Sequence, residues 1–162
     1  MPETAREVEI DGVVYSDDPR RLDLELIHGF LTTAYWSPGI PRETVERAIA
    51  GSCCYAAYEA DRQVAFARMV TDRATFAYLA DVFVLPSHRG RGVGVRLTGF
   101  VLDDPRLAGL RRLLLATRDA HGLYAKFGFR PLAAPDRFLE IHRPDVYRRP
   151  PERDAAPDRR AE

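Results

Sequence analysis

One stretch of the chain combines residue types and spacings suited to holding an anion. It runs Asp81-Val82-Phe83-Val84-Leu85-Pro86-Ser87-His88-Arg89-Gly90-Arg91-Gly92-Val93-Gly94-Val95. Val82 to Leu85 form a compact β-prone apolar run. Pro86 ends it, because proline has no N–H to give a strand ladder. The basic glycine-rich segment then opens a helix. A helix start presents unpaired N–H groups and the positive end of its dipole. Glycines let another group approach that backbone, and Arg89 and Arg91 add charge. This composition suits a phosphate or pyrophosphate seat. An ordinary basic helix start with glycines for tight packing has the same composition.

Known phosphate motifs narrow the choice. A Walker loop closes with Gly-Lys-[Ser/Thr], and no lysine stands here. A Rossmann fingerprint wants a sixth-position glycine in an early βαβ unit; that position is Val95, in mid-chain. R-x-x-G-x-G does fit, at Arg89, Gly92 and Gly94. It resembles the acetyl-CoA pyrophosphate loop of the GCN5-related N-acetyltransferase (GNAT) superfamily. Leu123-Tyr124-Ala125-Lys126-Phe127-Gly128-Phe129 in turn resembles the superfamily's Y-x-k-x-G-F segment after the fifth strand. With both motifs at a matching distance, the chain is identified as a small bacterial member. The resemblance covers roughly residues 7 to 142.

That resemblance implies a set of roles. Acetyl-CoA is the co-substrate, with no metal. Its contacts fall on Val82, Phe83, Val84, Arg89 to Val95 (Gly90, Arg91, Gly92, Val93 and Gly94 between), Asp119, Tyr124 and Phe127. A strand N–H, foremost that of Val84, serves the thioester carbonyl, and Tyr124 is the general acid. A phenol with a pKa of about 10 is protonated at neutral pH and has a proton to give. The base is open. The family often places an acid or histidine where this chain has Ala80 and Tyr78. Asp81 is a carboxylate in an apolar strand, either a base or a partner for Arg68. His121, three residues before Tyr124, shares its helix face and is either a proton relay or a partner of Asp119. The acceptor side falls on Tyr35, Trp36, Tyr78 and Ala80. The two exposed-looking aromatics suit either a ligand lid or core closure.

The elements that position these residues follow from periodicity. Val8 to Tyr15 around Asp11-Gly12 predicts a hairpin. Asp18-Pro19 or Asp23 starts a helix with Leu22, Leu26 and Phe30 at helical spacing. Pro41 to Ala50 predicts a second helix, stopped by Gly51. Strands are expected at Cys53 to Glu59, Val64 to Thr71 and Thr75 to Leu85, as an antiparallel meander. A helix to about Leu102 follows, then a strand over Arg111 to Ala116, parallel to its predecessor. Asp119 to Phe127 predicts a short helix, and Phe129 to Leu132 with Phe138 to Ile141 a terminal hairpin. The expected fold class is α/β (α+β): a mixed, mostly antiparallel central sheet of six to seven strands with helices on both faces.

At 162 residues, 46% hydrophobic and 30% charged, the chain suits one soluble globular domain. The division expected is a domain over residues 1–146 and a disordered Arg/Pro-rich tail over 147–162. The formal net charge is +0, which argues against nucleic acid or an anionic membrane as partner. Cys53 and Cys54 are adjacent, so they are poor disulfide partners and give no metal spacing. A cytoplasmic location is expected. The N-terminus has no apolar signal core. The expected partner is a small-molecule or peptide amine, with the protein a monomer or homodimer. The reading is therefore direct acetyl transfer in a ternary complex, since no covalent nucleophile motif is present. The alternative is a non-catalytic acyl-CoA sensor or partner-binding module.

Overall fold

The computed structural model describes residues 4–148. The hairpin around Asp11-Gly12 forms β1 (Glu7–Ile10) and β2 (Val13–Ser16). Both turn residues take positive φ, 50° and 79°, as a tight hairpin turn requires. Asp18 caps only a single 3-10 turn, Pro19–Arg21, and Asp23 caps α1 (Leu24–Leu31) by accepting from the Leu26 N–H. Then come α2 (Arg42–Ala50), β3 (Cys53–Glu59), β4 (Arg62–Thr71) and β5 (Phe76–Val84). The chain continues through α3 (Val93–Leu102), β6 (Arg112–Leu115) and α4 (His121–Ala125).

The six strands lie in chain order in one sheet. Pairs β1 to β5 are antiparallel, and β6 is parallel to β5. The parallel pair needs a crossover, which α3 supplies. Cores form on both faces. Tyr55, Met69, Leu79, Leu97 and Val101 pack on the α3 side. Ile27, Leu31, Val45, Phe66 and Phe83 pack on the α1–α2 side. Cys53 and Cys54 fall into opposite cores, as strand alternation dictates.

A bulge in β5 breaks that alternation. Ala80 pairs with Arg68, but Phe83 pairs with Phe66, so two residues of β5 face one of β4. Asp81 absorbs the extra residue with φ of 53°, a left-handed conformation that aspartate tolerates better than most residues. Ala77 and Leu79 therefore face the α3 core, while Phe83 faces the α1–α2 core.

The sheet has six strands among the described residues, because the terminal hairpin does not form. Residues 129–143 contain only the 3-10 turn Pro135–Arg137. Pro131 removes a donor that the ladder needs, and Pro135 starts the 3-10 turn in the connection. Tyr147, placed in the tail by the sequence reading, packs against the α1–α2 core. The tail residues from 149 to 162 lie outside the described residues. Among the described residues no helix is long and apolar enough to cross a membrane.

Candidate active site

The pairing of β5 with β6 is brief. Phe76 to Leu79 match Arg112 to Leu115, and no pair follows. Beyond Leu79 the bulge turns β5 while β6 gives way to the loop before α4, so the strands part. A cavity of about 810 Å³ opens there. Tyr78, Ala80, Asp81 and Val82 form one wall, and Ala116 to Ala120 with Tyr124 form the other. Tyr35 and Trp36, from the loop between α1 and α2, stand at its mouth.

Tyr124 is 8% exposed and meets the Phe129 ring edge-on at 5.9 Å. Burial pushes its phenol up from the ordinary value, with Tyr35 adding to the effect. The proton therefore stays on oxygen at neutral pH. Helix α4 aims this side chain at the cleft. Thr117 Oγ1 accepts from the Ala120 N–H at 3.0 Å and fixes the helix entry. Gly128 takes φ of 89° where the helix ends, which turns Phe129 back under Tyr124.

Asp81 lies on the cleft wall with both oxygens engaged. Oδ2 accepts from Arg68 Nε at 2.8 Å, and Oδ1 from Trp36 Nε1 at 3.0 Å. Of the two roles open to it, the geometry supplies the Arg68 partner. Trp36 is thereby fixed to the central strand, and Tyr35 packs edge-on against it at 5.0 Å. The Arg118 guanidinium lies 3.9 Å from the Tyr35 ring centre, a cation–π distance. The two sides of the mouth thus touch each other. His121 is exposed at the start of α4 and is absent from the cavity lining. Asp119 does line it, exposed beside Arg118.

The glycine loop lies at the far end of β5. Gly90 and Gly92 take φ of 75° and 77°, and the space a side chain would fill at either is empty. Gly92 occupies the cap position of α3, which has no side-chain cap and no acidic residue in its first turn. The first N–H groups of α3 therefore lack any side-chain acceptor. Val93 is buried and its side chain joins the α3-side core. Gly94 packs at ordinary distance between Leu123 and Val84, which brings α3 close to β5 and α4. Phe127 packs on α3 beside Gly99. The loop's charge is partly committed. Arg91 Nη2 donates to Glu59 Oε1 at 2.7 Å, and His88 Nε2 lies 2.6 Å from Glu59 Oε2. Arg89 Nε donates to the Val84 carbonyl at 3.0 Å.

Three features of this site were not visible in the sequence. The bulge at Asp81 has no residue signature beyond an aspartate inside an apolar run. Glu59, at the end of β3, pairs with Arg91. Glu140 from the expected hairpin, Tyr147 from the expected tail, and His142 between them join the cavity lining.

Comparison with known proteins places this geometry in context. The model of the acetyltransferase (GNAT) domain matches residues 50–131. A Gibberella zeae protein named as an acetyltransferase is 32% identical over 134 residues, covering 68% of this chain and 75% of that protein. A crystal structure from Xanthomonas campestris, described as a GNAT-family acetyltransferase, is 48% identical. It superposes with a TM-score of 0.82 over 86% of this chain and 99% of that one. A Clostridium acetobutylicum structure described as an acetyltransferase with acetyl-CoA shares the fold, at TM-score 0.58 and 16% identity over 86% and 95% of the two chains.

Proposed function

This chain belongs to the GNAT acetyltransferase family, and from that premise we propose that it transfers an acetyl group from acetyl-CoA to an amine by direct attack in a ternary complex. The observation that carries the reading is Tyr124, buried on the wall of the cleft where β5 and β6 part. The empty space over Gly90 and Gly92 suits a diphosphate against the first amides of α3. On this reading the pantetheine arm runs from that loop along β5 into the gap past Leu79, where Tyr124 lines the cavity. Acetyl-CoA supplies a thioester carbonyl open to attack by an amine. The backbone N–H of Val84 or its neighbours in β5 receives the developing negative charge. Tyr124, which burial keeps protonated, gives its proton to the leaving thiolate.

An acyl-enzyme has little support. Cys54 is buried and its thiol is pushed up to about 12, chiefly by burial. The thiolate, the reactive form, is thus scarce. Asp81 acts as a brace, since Arg68 and Trp36 hold both its oxygens. Acetyl-CoA as donor is consistent with a cytoplasmic enzyme. The acceptor is an amine, small molecule or peptide, received between Tyr35, Trp36 and the β5 wall.

The test is acetyl-CoA binding followed by turnover. Acetyl-CoA at 100 times its Kd should stabilise the protein by about 2.7 kcal/mol. Free thiol should then appear when an amine is added. Stabilisation without thiol release from any amine would favour an acyl-CoA sensor. No binding at all would remove both readings.

A further inference from the structure

The described chain ends in a strap along the open side of the cleft. Glu140, His142 and Tyr147 all line the cavity that Tyr124 lines. Leu139 and Ile141, on either side of Glu140, are 96% and 84% exposed and stay off the lining, while Glu140 and His142 line the cavity from its exposed rim. Tyr147 anchors the far end. It packs against the α1–α2 core, and its carbonyl oxygen lies 3.3 Å from where a side chain on Gly39 would begin. Gly39 has φ of 77°, so a residue free of that side chain sits where the strap lands.

The cleft needs a group that takes a proton from the acceptor. An amine with a pKa of about 10 arrives as an ammonium at neutral pH, and nitrogen attacks only once that proton is gone. The walls offer little. Asp81 has both oxygens bonded, and Ala80 has no titratable group. The chain has four histidines, and three stand apart from this task. His28 Nε2 bonds the Ile40 carbonyl at 3.0 Å. His88 pairs with Glu59. His121 lies off the cavity lining. His142 alone lines the cleft, and imidazole titrates near neutrality.

We infer that His142, carried by the C-terminal strap, is the general base of the proposed transfer, and that Glu140 beside it receives the acceptor's ammonium group. The inference rests on the acetyltransferase reading above. His142 takes one proton from the ammonium. The freed nitrogen bonds the carbonyl carbon and the carbon–sulfur bond breaks. Tyr124 gives its phenolic proton to the sulfur, and the second N–H proton, released as the amide forms, replaces it. His142 then passes its proton to water. The other charged groups that line the cavity with His142 are Arg68 and Asp81 on the central strands, Arg118 and Asp119 before α4, and Glu140 on the strap. Arg68 and Asp81 offset each other, as do Arg118 and Asp119 in part. Tyr35, Tyr78, Tyr124 and Tyr147 also face the cavity.

The test is thiol release from acetyl-CoA across pH 5 to 9, with spermidine, tyramine and a dipeptide amide as acceptors. For the wild type, kcat/KM should fall on the acid side of that range. His142→Gln should lose that limb and lower kcat about 100-fold or more, with acetyl-CoA affinity unchanged. Glu140→Gln should raise the KM for the amine and leave the limb in place. In a measurement that needs no turnover, adding acetyl-CoA should shift the NMR ring resonances of His142 and leave those of His28 in place. A His142→Gln enzyme with wild-type kcat and pH profile, or a silent His142 resonance, overturns the inference and leaves the acetyltransferase reading standing. No thiol release from any of the three amines in the wild type removes both.

Discussion

Trp36 donates its indole N–H to Asp81 Oδ1 at 3.0 Å, so one carboxylate ties the loop between the first two helices to the bulged central strand. Arg68 holds the other oxygen at 2.8 Å and reaches Ser52 Oγ at 3.1 Å. The pair is mostly buried, with side-chain exposures of 17% for Arg68 and 12% for Asp81. Asp81→Ala leaves a guanidinium partly buried without its partner. The expected loss is about 2–3 kcal/mol in urea unfolding. Asp81→Asn keeps an acceptor for Trp36 and should lose less. An unchanged midpoint for the alanine variant contradicts the bracing role.

Gly92 caps α3 in a left-handed conformation with empty space above it. Gly92→Ala introduces backbone strain of about 1–2 kcal/mol and puts a methyl group where a diphosphate would rest. Acetyl-CoA affinity measured by calorimetry should drop at least about tenfold, which is about 1.4 kcal/mol. Equal affinity in the variant means the ligand does not use that loop.

Asp104 anchors a buried network on the α3 face. Tyr55 Oη donates to Asp104 Oδ2 at 2.7 Å, and Arg106 Nη2 donates to the same oxygen at 2.6 Å. Burial raises the Asp104 pKa, but the bonds from Arg106 and Tyr55 outweigh it and hold the group below its ordinary value. A carboxylate depressed in the folded state contributes its full stability above the unfolded pKa, about 3.9. That stability disappears as pH falls through the lower folded value. Thermal unfolding should thus show Tm falling as pH drops below about 4. Asp104→Asn should have a lower Tm at pH 7 and a shallower acid slope. A slope equal to wild type contradicts the assignment.

Much of the fold was legible because local rules agreed with one another. Asp23 with the apolar stripe of α1, Gly51 after α2, and the Asp11-Gly12 turn each specified an element that formed. The strand order followed from short turns and one crossover. The terminal hairpin was misread because Phe138 and Ile141 look strand-forming, while Pro131 withdraws a ladder donor and Pro135 starts a 3-10 turn. At the site, two motifs placed Tyr124 and the glycine loop. The bulge was hidden, since one extra residue in β5 changes facing without changing composition. Likewise, the pairing of Glu59 with Arg91 joins residues 32 apart, a contact made only when the folded sheet brings the end of β3 to the loop after β5.

The central claim is that Tyr124 protonates the thiolate leaving acetyl-CoA, and single-turnover thiol release from Tyr124→Phe tests it most directly. The phenyl ring keeps the packing on Phe129 and removes only the hydroxyl. The expected result is a rate about 100- to 10,000-fold below wild type, with acetyl-CoA binding and thermal stability preserved. A Tyr124→Phe enzyme that releases thiol at the wild-type rate would contradict it.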